Sequence, residues 1–458
     1  MTDHQAALRV RAFFVLGLLI SIWMVARSQV GGDQLNLLAR GWILADEGQW
    51  ISYGNPMSTG GKAPGGITSL LVGLPLMVWR DHRAPTVVVL LFHILAYWLL
   101  DRTLRPILSP RERVFLSVLY WLNPWRLYFS AFLWNPNYLF LLSAIHLWSC
   151  LTQRDRARFW PSFLHGLALL LALQIHASFL LLAAATGLLW LRGWFRVHWP
   201  GMILGAVLAA LPLVPWVLDL REDPAIITEA DKGFLGRGLI YLFPLLRGLL
   251  YWLRYSSLAV SEKVVNFDFG DFMDPETGAS LGKAVGSVAE VLLSLTLILP
   301  LLANRWLWKR FRRRIRRRFP EGGSDRAWLQ GYAAWSFVGA VAVFSLSPTT
   351  IMMWQALILL HAAILPLILW AGILVRTPRA PRVLRIERVY IAATMTLLAL
   401  IPLGSTHYRC VGHDGGRDSY GLPLRSDHPM LHELNIQSTC PLPLNRPDGW
   451  WPDVLPER

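Results

Sequence analysis

Stretches without a charged side chain dominate the chain, at 12–26, 114–125, 127–153, 199–218, 291–304, 327–375 and 389–406. A bilayer core of roughly 30 Å needs about 20 mostly apolar residues per helix, so each run predicts one crossing, and the longest predict two. The polar breaks between them divide the chain into spans at 12–28, 85–104, 113–133, 137–153, 161–176, 178–192, 200–219, 284–304, 328–347, 351–375 and 389–405. The expected fold is an all-α integral membrane protein of about eleven crossings. Three long stretches are left outside the spans: 29–84, 220–283 and the tail from 406 to 458. Residues 1–405 therefore form one polytopic domain, followed by a hydrophilic C-terminal tail.

The segment 65–79 is apolar but short and rich in Gly and Pro. If it crossed, Arg80 and Arg83 would lie inside and Arg102, Arg105, Arg111 and Arg113 outside, against the rule that cytoplasmic loops hold the cations. It is therefore expected to lie flat in the outer interface. The run 12–28 lacks a small-residue cleavage site and reads as a retained first helix. Arg9 and Arg11 precede it, which predicts a cytoplasmic N-terminus and an extracytoplasmic C-terminus in the inner (plasma) membrane.

Composition agrees. Hydrophobic residues make up 54% and charged residues 16% of 458, against roughly 25% charged in a soluble domain. The 23 Trp suit the aromatic belts of a membrane interface. A net charge of +15 raises the question of nucleic acid, but the cations sit in short gaps between apolar runs, at Arg111 and Arg113, Arg154–Arg158, Arg192 and Arg196, Arg305–Arg318 and Arg376–Arg388. That distribution anchors topology and grips anionic headgroups, so membrane lipids are the expected partners and no nucleic acid is. Two of the three cysteines, Cys410 and Cys440, lie in the polar tail. An oxidising exterior permits a disulfide between them, stabilising by about 3–4 kcal/mol. Cys150 falls within a span and reads as packing.

Ionisable groups beside membrane spans are costly and so are functional candidates. The first outer segment opens Arg27-Ser-Gln-Val-Gly-Gly-Asp33-Gln34 and continues into an amphipathic stretch at about 34–47. Gly54-Asn-Pro-Met-Ser-Thr-Gly-Gly-Lys62-Ala-Pro-Gly-Gly66 and the interfacial helix follow. Further on stand Trp121-Leu-Asn-Pro-Trp-Arg126, Leu133-Trp-Asn135-Pro-Asn137 and Gln174-Ile-His176-Ala-Ser178. This order resembles the membrane glycosyltransferases of the C superfold, in the branch of aminoarabinose transferase, protein mannosyltransferases and Rgt-type sugar transferases. In that branch an acid after the first span opens a juxtamembrane helix, and a Lys-Pro-type loop leads into a second one. The resemblance covers residues 10–220. It implies a fold like theirs (GT-C-like), a polyprenyl-phosphate sugar as donor and a lipid or glycan as acceptor. Asp33 falls at the family's acid and Lys62 at its loop lysine, while His176 matches the turn between the fifth and sixth spans. Asn135 and Asn137 stand where relatives often carry a second acid, and Gln34 replaces a frequent Glu.

The residues fit such chemistry in their own right. Inverting transfer needs a base that takes a hydroxyl proton and cations that steady the departing phosphate. Asp33 suits the base. Lys62 suits the phosphate, as do Arg247 and Arg254, seven apart on nearly one face of the apolar stretch 239–253; Lys232 and Arg237 lie nearby. No Asp-x-Asp metal motif occurs in the first outer segment, and no resident cofactor or metal ligand set is expected. Against these roles, Asp33 suits an N-cap, Lys62 a solvated loop, His176 a helix turn, Asn135 and Asn137 a cap, and Arg247 and Arg254 snorkelling to headgroups. His93, His146, His165 and His361 read as packing. Asp268, Asp271 and Asp274 have a calcium-like spacing without the remaining ligands of such a loop. The alternatives are an envelope polysaccharide polymerase or ligase, whose key loops usually fall in the second half, and a lipid or glycolipid transporter, for which internal repeats are missing. No Gly-x-x-x-x-Gly-Lys loop exists to drive a nucleotide pump.

Overall fold

The computed structural model describes residues 2–26, 28, 30, 32–55, 62–222, 242–260, 269, 273–312, 319, 322–347, 351–404 and 429–436. Its elements are helical: α1 (Asp3–Val25), α2 (Gly32–Glu47), α3 (Ile67–Val78), α4 (Arg83–Leu104), α5 (Pro110–Trp121), α6 (Pro124–Phe129), α7 (Leu139–Thr152), α8 (Phe159–Ile175), α9 (Phe179–Leu191), α10 (Trp199–Ala210) and α11 (Leu213–Glu222). After them come α12 (Leu242–Arg254), α13 (Pro275–Ser294), α14 (Ile298–Phe311), α15 (Asp325–Ser345), α16 (Met353–Ala356), α17 (Leu360–Leu374), α18 (Ala380–Gly404) and α19 (Pro429–Glu433). Their starts follow local side-chain chemistry. Thr2 and Gln5 form a reciprocal capping box on α1, Ser109 and Glu112 another on α5, and Asp274 accepts the Thr277 N–H at 2.9 Å to open α13. Asp274 is thus a helix cap; Asp268 and Asp271 fall outside the described residues, as do Cys410 and Cys440.

Among the described residues five helical stretches are long and apolar enough for a full crossing: Asp3–Val25, Arg83–Leu104, Glu276–Phe311, Asp325–Ser345 and Met353–Leu374. The pair α10 and α11, bent by 51° at a short break, makes a sixth if counted as one span. Of the five remaining expected crossings, three fall on the shorter helices α7, α8 and α9, that at 389–405 on the second half of α18, and that at 113–133 on α5 and α6. Large side chains on Glu276–Phe311 point outward, with Val291 65% and Leu295 67% exposed, as lipid-facing residues are. The segment expected to lie in the interface is α3, only 12 residues long.

Helix contacts rely on small residues. In Gly201-Met-Ile-Leu-Gly205 both glycines of α10 sit against backbone carbonyls of α8, those of Phe159 and Phe163, and Gly166 of α8 sits against the carbonyl of Met202. A Cβ at any of the three would overlap the facing oxygen. Spaced small residues bring helices together in lipid, where apolar surface alone gives no association.

The expected span 113–133 is not continuous. It breaks at Leu122–Asn123, because Pro124 has no N–H to continue the ladder and forces Asn123 out of the helical region. Asn123 caps the new helix, accepting from the N–H groups of Trp125 at 3.0 Å and Arg126 at 3.2 Å. Arg126, fully buried, repairs the break. Its guanidinium donates to the Trp121 carbonyl at 3.0 Å and to Ser21 Oγ at 3.0 Å, and stacks 4.7 Å from the Trp121 ring. Trp121 in turn lies against Gly17 of α1, where a Cβ would come within 2.8 Å.

The arginine-rich connections collect at one end of the bundle. Arg113 pairs with Asp101 at 3.0 Å, Arg154 with Asp325 at 2.6 Å, and Arg326 with the fully buried Glu112 at 2.9 Å. The Arg196 N–H donates to the Gln153 carbonyl at 2.8 Å, and Trp328 to that of Trp194 at 2.7 Å. Burial by itself would raise the Glu112 carboxyl, but hydrogen bonds from Arg326 and Ser109 overcome it and hold the group below its ordinary value. A carboxyl depressed in the folded state stabilises above its unfolded pKa and loses that contribution as pH falls through the folded one. We therefore expect Glu112→Gln to cost about 1–2 kcal/mol at neutral pH. The gap to wild type in thermal unfolding should narrow below about pH 4. A gap independent of pH would mean that the Glu112 charge contributes nothing.

Candidate functional site

The interfacial helices α2 and α3 lie against each other through two glycines. Gly41 faces Val72, and Gly73 faces Leu44 and the Gly41 carbonyl, 2.9 Å from where a Cβ would stand. Leu35, Leu38, Ala39, Trp42 and Ile43 are buried, and so are Gln34, Asn36 and Arg40, so α2 is enclosed on its polar face as well as on the apolar face read from the sequence. Asp33 occupies the first turn of α2, where free N–H groups and the helix dipole favour an anion. It is half-buried, and its Oδ2 accepts the indole N–H of Trp134 at 3.0 Å.

Asn55 ties this carboxylate's backbone to the lysine loop. Its amide donates to the Asp33 carbonyl at 3.0 Å, and its Oδ1 accepts from buried Arg40 at 3.4 Å. Two backbone bonds, Gly54 N–H to the Ala63 carbonyl at 2.8 Å and Ala63 N–H to the Asn55 carbonyl at 3.0 Å, close the loop beside Lys62. The Lys62 ammonium stands 4.2 Å from the centroid of the Tyr53 ring, and the Arg40 guanidinium 5.6 Å from the same centroid. Gly65, at a φ of +82° that favours glycine, passes so close to Gln174 that a Cβ would stand 2.6 Å from Oε1. Two residues on, His176 ends α8. Its Nδ1 accepts the Ser178 N–H at 3.1 Å and bonds the Ser178 hydroxyl at 2.9 Å, which keeps that nitrogen for the turn. Asp33, Lys62 and the His176 turn are thus joined by short connections. Ser52 also bonds to Asp219, linking this loop to α11.

Trp134 begins an aromatic row. It stacks with Phe129 at 6.2 Å and meets Trp354 edge-on at 4.9 Å; Phe129 stacks with Trp125 at 6.5 Å. Trp125 meets Tyr251 at 6.0 Å and Tyr255 at 5.7 Å. Arg247 donates to the Tyr251 hydroxyl at 3.4 Å, and Arg254 lies 5.6 Å from the same ring. Both arginines, on one face of α12 as their spacing predicts, therefore sit at the far end of a row that starts at Asp33. Asn123 anchors that end by donating to the Tyr255 carbonyl at 2.6 Å. Beyond it, from Leu258, a cavity of about 410 Å³ runs between α13 and α18, lined by Val285, Ala289, Leu293, Val389, Tyr390 and Ala393.

Other candidates stand apart. Asn137 is fully buried and donates to the Phe132 carbonyl at 2.8 Å, holding the turn before α7; Asn135, also buried, lies beside Trp134. Lys232 and Arg237 lie outside the described residues. Sequence reading passed over Asn55 and Trp134. Their signals were present, an Asn-Pro after a glycine and a Trp before Asn-Pro-Asn, but both motifs read equally well as turns.

The sequence matches no protein-family model and no curated protein. Its fold matches the crystal structure of ArnT from Cupriavidus metallidurans in the apo state, with a TM-score of 0.52 over 87% of this chain and 67% of that one, at 15% identity. ArnT is the aminoarabinose transferase of the C superfold. The chain therefore has the multi-pass membrane fold that Asp33, the paired interfacial helices and the lysine loop led us to expect.

Proposed function

We propose that the chain is a membrane glycosyltransferase that moves a sugar from a polyprenyl-phosphate donor to a lipid or glycan hydroxyl, at the extracytoplasmic face of the inner membrane, with Asp33 as the base. The observation that carries this reading is the Asp33–Trp134 bond at one end of an aromatic row whose other end bears Arg247 and Arg254 beside an apolar cavity. The likeness to ArnT supports it at the level of the fold.

In this reading the cavity takes the prenyl chain and the arginines meet the phosphate. Trp134 holds Oδ2 of Asp33 and leaves Oδ1 to take the acceptor's proton. The acceptor oxygen then bonds to the anomeric carbon as the bond from that carbon to the phosphate oxygen breaks. The leaving monophosphate gains negative charge, which Arg247, Arg254 and Lys62 are disposed to compensate.

Asp33→Asn should lower transfer by about 10²–10⁴-fold while leaving expression, membrane insertion and thermal unfolding unchanged. The readout is the envelope glycolipid missing from a deletion strain and restored by wild type. Full restoration by Asp33→Asn would remove the base. Trp134→Phe should give a partial loss, on the order of tenfold for one hydrogen bond, and Lys62→Ala a raised KM for the donor.

Sidedness is checked separately, in a chain with Cys410 and Cys440 replaced by Ser. Lys62→Cys should react with a membrane-impermeant maleimide in intact cells, and Arg158→Cys only after permeabilisation. The reverse pattern would place Asp33 on the cytoplasmic side and end this reading.

A further inference from the structure

Three turns inward from the Trp134 segment, α7 and α8 bring together His146, Cys150 and His165, all essentially fully buried. His146 and Cys150 are four apart and share a face of α7, and His165 faces them from α8. The Cys150 sulfur lies 4.0 Å from His146 Nε2 and 3.8 Å from His165 Nδ1, and the three donor atoms all fall within 4.8 Å of one another. Around a tetrahedral ion with Zn–S of about 2.3 Å and Zn–N of about 2.0–2.1 Å, such edges would be about 3.3–3.6 Å. The two sulfur edges close with a few tenths of an ångström of side-chain movement, and the nitrogen–nitrogen edge, within 4.8 Å, closes with at most about 1.5 Å.

The surrounding hydrogen bonds resemble the outer shell of a metal site. His146 Nδ1 is 2.9 Å from the Tyr332 hydroxyl and Nε2 is 2.9 Å from Thr186 Oγ1; His165 Nε2 is 3.0 Å from Thr186 Oγ1 and Nδ1 is 2.7 Å from Ser149 Oγ. The network closes in two donor orders. In one, His146 donates from Nδ1 to Tyr332 and His165 from Nε2 to Thr186. The lone pairs of His146 Nε2 and His165 Nδ1, the two nitrogens beside the sulfur, then accept from the Thr186 and Ser149 hydroxyls, and an ion would take them in place of those hydrogen bonds; Ser149 Oγ keeps the His146 carbonyl, 3.0 Å away, as its acceptor. Outer-shell acceptors commonly fix ligand histidines in this way.

We propose that His146, Cys150 and His165 bind one soft transition-metal ion, and that the ion is copper(I). A thiol and two imidazoles without a carboxylate disfavour Mg²⁺ and Ca²⁺ and suit Cu(I) or Zn²⁺. Charge separates these two. Binding releases the Cys150 proton, so Cu⁺ with one thiolate and two neutral imidazoles is uncharged overall. Zn²⁺ would leave one positive charge in a membrane-buried interior, where an uncompensated charge is expensive. The site would tie α7 to α8, and Thr186 of α9 and Tyr332 of α15 would hold the ligands. Cys150 lies eleven residues along α7 from Leu139, or about 16 Å, so the ion would brace the helix below Trp134 and take no part in transfer. The proposal does not depend on the glycosyltransferase reading.

The test is reconstitution of the full-length chain, purified in detergent under reducing, oxygen-free conditions, with Cu⁺ or with Zn²⁺, followed by dialysis against a competing chelator and elemental analysis. The expected result is one retained copper per chain, with one sulfur and two nitrogen scatterers in its X-ray absorption spectrum and a raised thermal midpoint. Cys150→Ser, close in volume to the native residue, should unfold like the unloaded wild type and retain at least tenfold less copper. His165→Gln gives a second, independent variant. Retention of zinc in place of copper, abolished by the same two variants, would keep the site and overturn the charge argument. Absence of stoichiometric metal from folded wild type, or equal retention by Cys150→Ser, would show that the three residues form only a hydrogen-bonded packing cluster.

Discussion

A guanidinium with no access to water holds the centre of this molecule. Arg126 sits where a span has been cut, and it donates to the carbonyl orphaned by the cut, to Ser21 on the first helix, and onto the Trp121 ring. An isolated buried charge is costly; here the cost is offset by several acceptors and an aromatic face. Removing the cation would leave the Trp121 carbonyl and the Ser21 hydroxyl without this partner inside the bundle. The cut also sets the direction of everything after it. Because the chain turns at Asn123–Pro124, the residues from Trp125 to Trp134 run as an aromatic layer between α2 and α12 instead of continuing the buried helix α5.

That layer explains why residues far apart in sequence share one region. Asp33 reaches it through Trp134, Tyr255 through Asn123, and Trp354 through its ring contact with Trp134. Each connection is a polar or aromatic contact made by a residue next to a proline or at a helix end. Rigid helices supply the frame, and their interrupted ends bring these residues together.

The sequence was most informative where a single local rule decides the outcome. The amphipathic stretch after Asp33 became α2, the short Gly- and Pro-rich stretch became α3, and the arginine-rich gaps gathered at one end through Arg113–Asp101, Arg154–Asp325 and Arg326–Glu112. It was least informative where packing chooses between local options. Uncharged residues on both sides of Leu122 read as one crossing, although Asn123–Pro124 carried the break. Nothing local marks Arg126 as the residue that repairs the break, because nothing local shows that Gly17 leaves room for Trp121 and brings α1 within reach. His146 and His165 lie nineteen residues apart with a turn between them, and only the tight seating of α7 on α8 brings their nitrogens to the same sulfur.

The glycine seam between α8 and α10 bears on how the parts beyond it can move. With Gly166, Gly201 and Gly205 pressed onto facing carbonyls, these two helices cannot slide past each other without steric overlap. The 51° bend after Ala210 is then the nearest compliant joint. Past that joint, Asp219 is fastened to Ser52 in the loop that also presents Lys62. A tilt of α11 is thereby geared to the lysine loop, so the two would swing as one jaw about the bend after Ala210.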